Sequence, residues 1–367
     1  MIFIPIAEIP AIRLGWELEL CCRHNIYVIF ALGLYTRNHT MKKKVVFIIN
    51  PKSGIGKKSI VEKEITTEID TESIDFEIIH TKYRGHAKEI AERFSGKTDA
   101  IVAVGGDGTV NEIGSALVGS ETALAIIPVG SGNGLARELN IPLRTSQAIS
   151  VINNMYTRKI DVMKLNSYYS LNVAGVGFDS FISHKFSTVK RRGPLQYMRL
   201  ITQEFPAYKS QEYTLNIDGH FFKRNAFLIS FANSAQWGNN IRISPNAQVD
   251  DGLIDVCIVA NFPNYAVPAL LVSLLAQAID KNKYDEIIHA KEVELMNEEP
   301  LLGHVDGEPI MIEPRSKISI LPLSLNVVVP DEEFFKSSIF SPLREIIPQF
   351  QQFQQQISQF PFTKTKQ

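Results

Sequence analysis

Residues 100–113, Ala100-Ile101-Val102-Ala103-Val104-Gly105-Gly106-Asp107-Gly108-Thr109-Val110-Asn111-Glu112-Ile113, read as an apolar strand that stops at a glycine-rich turn and restarts as a helix. Val110, Ile113 and Leu117 share one face of that helix. A glycine turn between a strand and a helix N-terminus is an anion site: its backbone N–H groups are free, and the helix dipole favours negative charge. Glycines also let a phosphate approach the backbone closely. Asp107 puts a carboxylate beside that phosphate. It has a purpose there if a divalent cation bridges the two, or if it takes a proton from an attacking hydroxyl. These residues point to a nucleotide-dependent phosphotransferase.

The same alternation extends on both sides. Strands are expected at 45–50, 76–80, 100–104 and 123–129, each followed by a helical pattern. Short apolar strands separated by helices argue for a parallel sheet covered by helices, an α/β fold. The loops at the carboxyl ends of its strands then line one crevice. Four loops fall there: 50–54 (Asn50-Pro51-Lys52-Ser53-Gly54), 81–86 from Thr81, 105–109, and 130–134 (Gly130-Ser131-Gly132-Asn133-Gly134). After about residue 160 strand signals follow one another, at 169–174, 212–217, 226–232, 253–259, 292–296 and 309–312. Asp218-Gly219 reads as a tight hairpin turn. This part is expected to be a mainly antiparallel β-domain with helical insertions near 178–209 and 263–280, and final strands at 317–321 and 325–329.

The chain has 367 residues, enough for two domains. A net charge of -1 gives no support to nucleic-acid binding. Three cysteines, Cys21, Cys22 and Cys257, cannot build a disulfide framework and fit a reducing cytosol, so a cytoplasmic location is expected. No apolar run reaches the ~20 residues of a spanning helix, so a hydrophobic substrate has to be reached from the membrane surface. Residues 1–40 lack periodicity and read as an upstream extension, with Met41 as the start, or as a disordered or short apolar segment that touches membrane. Residues 331–367 form a tail rich in Gln and Phe.

Taken singly, most motifs have an ordinary explanation. Asn-Pro and Ser-Gly at 50–54 are common turn pairs. Asp306-Gly307-Glu308 reads equally as a hairpin turn with solvated carboxylates or as a base, Glu308, entering the cleft. Asp250-Asp251-Gly252-Leu253 is a turn or a hard-cation site. Lys190-Arg191-Arg192, with Lys185 and Arg199, is a solvated helix face or a contact for phosphate or lipid headgroups.

Their order is more specific. Asn-Pro-x-Ser-Gly is followed by Thr81 with Gly85-His86-Ala87, then Gly-Gly-Asp-Gly-Thr-Val-Asn-Glu, Pro-x-Gly-Ser-Gly-Asn, Gly-Phe-Asp, Asp-Asp-Gly-Leu and Asp-Gly-Glu-Pro. In this the chain resembles the diacylglycerol kinase catalytic-domain family of lipid kinases, which includes bacterial diacylglycerol and YegS-like lipid kinases and the sphingosine and ceramide kinases. The resemblance runs from about Lys43 to Pro330. It implies an N-terminal nucleotide-binding α/β domain over 41–160, completed by 313–330. It further implies a C-terminal, mainly antiparallel β-sandwich domain over 161–312 for the lipid, with the active site in the cleft between them.

The resemblance also implies that ATP lies across Asn50, Ser53, Gly54, Thr81, the loop Gly105, Gly106, Asp107, Gly108 and Thr109 with Asn111 and Glu112, and Gly130, Ser131, Gly132 and Asn133. Asp107 is implied to organise Mg²⁺, and either Glu308 or Asp107 to be the base. Asp251, with main-chain oxygens of Gln248 and Leu253, is implied to hold an accessory Mg²⁺. The partner is a membrane lipid reached peripherally, and the resemblance leaves room for a homodimer. Many bacterial members carry Gly-Thr-Gly/Ala-Asn-Asp where this chain has Gly130–Gly134, and Ser131 is closer to the sphingosine and ceramide kinase version. The acceptor stays open among diacylglycerol, a sphingoid base, ceramide and another lipid alcohol. An NAD kinase-like phosphotransferase and a non-catalytic lipid- or nucleotide-binding module are the rival readings.

Overall fold

Strand β1 (Lys43–Ile49) pairs in parallel with β2 (Ile74–His80) and β3 (Ala100–Gly105), and β3 pairs in parallel with β4 (Ala123–Pro128). Every residue of β3 and β4 is buried, which explains why these strands are continuous apolar runs without alternation. Helices α1 (Lys58–Glu68), α2 (His86–Phe94), α3 (Asp107–Leu117), α4 (Gly134–Glu138) and α5 (Thr145–Asn154) complete this half. Helix α5 is absent from the sequence expectation, because its buried face (Ala148, Ile149, Val151, Ile152) is interleaved with Ser and Asn. The computed structural model describes residues 42–53, 58–189, 194–238, 241–267, 269–270, 273, 278–332 and 334, all within one compact unit that begins at Lys42. Residues 1–41, Gly54, Lys190-Arg191-Arg192 and nearly all of the tail, for which expectations were stated, lie outside the described residues.

The rest is antiparallel except where it rejoins β4. The strands are β5 (Thr157–Leu165), β6 (Tyr168–Ser170), β7 (Val173–Gly177), β8 (Gln211–Ile217), β9 (His220–Ala232), β10 (Gln236–Gly238), β11 (Ile241–Arg242), β12 (Ile254–Ala260), β13 (Asp285–Ala290), β14 (Glu292–Met296), β15 (Leu301–Val305), β16 (Glu308–Ile312) and β17 (Arg315–Val328). Helices α6 (Phe178–Ser187) and α7 (Pro194–Glu204) are inserted after β7. Strand β9 changes partners along its length. Its first half pairs with β8, and its second half with β7 and β12. It therefore turns the corner between two layers, and Tyr213, Leu215, Ile229, Phe231, Val256 and Leu295 fill the core they enclose. The α/β half plus antiparallel β-sandwich expected from the sequence is the observed fold.

Three expected strands differ, for the same kind of reason. The single strand expected at 169–174 is broken into β6 and β7, because the amides of Leu171, Asn172 and Val173 all turn to the Asp306 carboxylate. The two strands expected at 317–321 and 325–329 are one strand, β17. It bends where Leu323 takes a left-handed conformation and donates its amide to buried Asp161 Oδ1. Strand β17 runs antiparallel to β14 and β5, and at Val327 it pairs in parallel with Leu124 of β4, so it belongs to both halves.

Candidate active site

The glycine loop after β3 and the one after β4 rest directly on each other. A Cβ on Gly130 would lie 2.5 Å from Gly106 Cα, and one on Gly132 would lie 2.6 Å from Asp107 Oδ2. A Cβ on Gly105 would strike the Thr109 side chain at 2.5 Å. The sequence reading assigned these glycines to phosphate approach, whereas their immediate requirement is packing of loop on loop. Asp107 ties the two loops together. Its Oδ2 accepts from Asn133 N (2.9 Å) and its Oδ1 from Gly134 N (2.6 Å). Desolvation raises the Asp107 carboxyl above the usual carboxylate range, against the pull of these two amide bonds and with a further push from Asp306.

The other predicted residues of the crevice form a connected frame. Asn50 Nδ2 donates to Thr109 Oγ1 (3.1 Å), and Asn50 Oδ1 accepts from Lys52 N. Ser53 N bonds Asn50 O, and buried Thr81 bonds Ile49 O through its amide. Glu112 accepts from Gly85 N (2.9 Å) and Ala87 N (3.1 Å), so a side chain of α3 satisfies the open N-terminus of α2. Asn133, at φ 53°, closes its own loop through both its amide atoms onto Gly130, and Ser131 is exposed at the tip. Asn111 Nδ2 donates to Tyr169 O and to Asp306 Oδ2, both at 2.8 Å. Asn111, Glu112 and Asn133, expected to touch nucleotide, thus have structural partners of their own.

The β15–β16 hairpin brings its turn to this frame. Asp306 (φ 48°) and Gly307 (φ 80°) form a two-residue turn with Val305 paired to Glu308. The carboxylates at this turn are not simply solvated. Asp306 accepts five bonds: from Ser170 Oγ, Asn172 N and Val173 N on Oδ1, and from Asn111 Nδ2 and Leu171 N on Oδ2. Glu308 Oε1 lies 3.0 Å from where a Cβ on Gly108 would stand, and Glu308 Oε2 accepts from Arg84 Nη2 at 2.8 Å. Helix α6 holds the hairpin from the other side. Ser183 Oγ donates to Gly307 O, and His184 Nε2 meets Gly303 O and Ile310 O. Buried His304 pairs with buried Asp179 at 2.9 Å. Arg84 and His304 went unnoticed in the sequence, and Asp306 was read only as a turn carboxylate, because an Asp-Gly turn and isolated charges do not show what they meet.

Gln248, Asp251 and Leu253 lie on a different loop, before β12. Asp251 Oδ1 accepts from Leu253 N, and Arg158 pairs with Asp250. Burial raises the Asp251 carboxyl, and nearby Asp255 and Asp161 add to the rise. Among the described residues no group of three His, Cys, Asp or Glu side chains could hold a metal ion by itself.

Beside α6 lies an aromatic cluster. Phe178 packs on Phe227 (centroids 4.7 Å) and Phe205 (5.6 Å), and Phe227 packs on Phe262 (5.0 Å). Among the described residues no helix is long and apolar enough to cross a membrane.

Comparison with known proteins agrees with this fold. Residues 44–165 match the diacylglycerol kinase catalytic domain, and residues 172–329 match the YegS C-terminal NAD kinase beta sandwich-like domain. A protein of Chromohalobacter salexigens named "Probable lipid kinase YegS-like" is 30% identical over 241 residues, 63% of this chain and 76% of that protein. The diacylglycerol kinase of Staphylococcus aureus (strain JH9) is 27% identical over 278 residues, 73% of this chain and 87% of the enzyme. In fold, the chain is similar to the crystal structure of a diacylglycerol kinase from Bacillus anthracis str. Sterne, with a TM-score of 0.61 and 24% identity, over 79% of this chain and 98% of that one.

Proposed function

The chain belongs to the diacylglycerol kinase and YegS-like family of lipid kinases, and on that footing we propose that it transfers the γ-phosphate of ATP, with Mg²⁺, to the hydroxyl of a membrane lipid alcohol. The observation that carries this reading is the Glu308 carboxylate lying against Gly108, in the first turn of α3, where the helix dipole favours a phosphate. A base beside a phosphate site is what transfer to an alcohol needs.

The residues suit ATP and Mg²⁺. The amides at the start of α3 offer the phosphates donors. Mg²⁺ is usually held by one or two carboxylates plus substrate phosphates rather than by an all-protein cage. Asp107 beside the glycine loop, whose oxygens keep lone pairs beyond their amide bonds, fits that demand better than a self-contained metal site. When bound, Mg²⁺ would supply neutralisation of charge between phosphates.

The chain's own residues do the rest. The paired glycine loops hold the phosphates in one orientation. Glu308 takes the acceptor hydroxyl proton as the new O–P bond forms and the bond to ADP breaks. Asp107, with both oxygens already accepting amide hydrogens, is better suited to fixing the loops, so Glu308 is assigned as the base. The lipid is reached peripherally at a membrane surface.

The deciding experiment is transfer of labelled γ-phosphate from ATP·Mg²⁺ to diacylglycerol, sphingosine, ceramide and monoacylglycerol in mixed micelles, with NAD as a soluble control. Label on a lipid is the expected result and names the acceptor. Label on NAD alone overturns the proposal.

A further inference from the structure

Arg84 stands in the loop between β2 and α2, and its bond to Glu308 links the parallel half to the β15–β16 hairpin. Its backbone is anchored. Glu112 of α3 accepts the amides of Gly85 and Ala87 on either side of the α2 start, and Gly85 takes the left-handed φ of 88° that this turn requires. Its side chain is not anchored. Arg84 is 73% exposed and Glu308 42% exposed, and Glu308 is its one ion-pair partner among the described residues. Arg84 is therefore presented by a fixed backbone at the mouth of the Gly105–Thr109 loop, with a guanidinium free to swing.

The two partners open to that guanidinium differ greatly. A solvated Arg–carboxylate pair contributes little. A phosphate accepts the planar guanidinium through two charge-assisted bonds. A polyphosphate seated at the start of α3 also brings more negative charge than one carboxylate does. The Arg84–Glu308 pair is thus strong enough to form in the free protein and weak enough to be exchanged.

We propose that Arg84 binds the terminal phosphate of the nucleoside triphosphate, and that its pairing with Glu308 masks the base until that phosphate arrives. Without nucleotide, Arg84 neutralises Glu308. With a triphosphate on the glycine loop, the guanidinium moves to the γ-phosphate and leaves Glu308 Oε2 open to the acceptor hydroxyl. A diphosphate, lacking that group, leaves the pair intact. This inference rests on the nucleotide reading given above.

The test is calorimetric titration of the full chain with a non-hydrolysable ATP analogue and with ADP, both with Mg²⁺ and without lipid. Arg84→Met is expected to weaken analogue binding about tenfold or more, the scale of one charge-assisted contact, and ADP binding less than twofold. Arg84→Lys should recover part of the loss, since it keeps the charge but not the fork. Equal losses for both nucleotides, or none for either, overturn the assignment. A parent chain that binds neither nucleotide defeats the nucleotide reading itself, and Arg84's role with it. A parent that binds both while Arg84→Met loses neither leaves the kinase reading standing and removes only this inference.

Discussion

Glu308 and Asp107 are both carboxylates at the glycine loop, and the structure separates what their substitution would report. Glu308→Gln keeps the side chain's shape and removes its basicity. Glu308 is partly exposed, and among the described residues its side chain is bonded only to exposed Arg84, so a fall in turnover of about 10²-fold or more is expected with little change in melting temperature. Near-parental turnover in a lipid phosphorylation assay would reject Glu308 as the base. Asp107→Asn is a less clean probe. Both Asp107 oxygens accept amides, so an Asn places one N–H against another, and thermal melting should register the loss together with activity. Asp285 gives a test of a different kind. Burial, with Asp280 nearby, pushes its carboxyl up to about 7, and its two oxygens have no bonding partner among the described residues. The folded chain holds this proton above the pH at which the unfolded chain releases it, so stability falls as pH rises between the usual carboxylate range and about 7. Asp285→Asn should therefore flatten that slope and gain melting temperature relative to the parent at pH 8 but not at pH 4. An unchanged slope would refute the assignment.

Loops and turns place these residues, and their glycines are unequal. At Gly130 an added methyl meets the Gly106 backbone at 2.5 Å, and neither loop can retreat without disturbing the N-termini of α3 and α4. Gly130→Ala should cost about 1–3 kcal/mol, read by urea unfolding, and should abolish nucleotide binding. Gly219, in the β8–β9 turn, has φ 89° but open space around it. Gly219→Ala should cost about 1–2 kcal/mol from backbone strain alone and leave nucleotide binding intact. Similar binding losses in both variants would contradict the loop-on-loop arrangement. Legibility in the sequence followed the same division. Helix α2 is found at 86–94 as expected from its spacing, and β14 at 292–296 as well. The break between β6 and β7 was invisible, because its cause, Asp306, is more than 130 residues away in sequence.

Asp306 joins distant parts of the molecule. Its five bonds join the hairpin bearing Glu308 to the β6–β7 break and, through Asn111, to the helix that starts at the glycine loop. Asp306→Ala would leave three buried or half-buried amides without acceptors, each worth about 1–3 kcal/mol. Urea unfolding should show a large loss of stability, and turnover should fall even where the protein remains folded, because Glu308 is no longer registered against Gly108. A variant with parental stability and activity would show that the halves are aligned by other contacts. Strand β17, shared by both halves, is the second such connection.

The sequence alone was sufficient for the α/β class, the four crevice loops, the antiparallel second half and the family, because strand and helix periods and turn glycines are local signals that neighbouring residues carry. Tertiary structure alone decided that Asp107 binds loop amides, that Asp306 is saturated, that Glu308 faces Gly108, and that Arg84 holds it. Each of these is a bond between segments far apart in the chain. The direction of a side chain across such a distance depends on the packing of everything between them, and no short stretch of sequence encodes it.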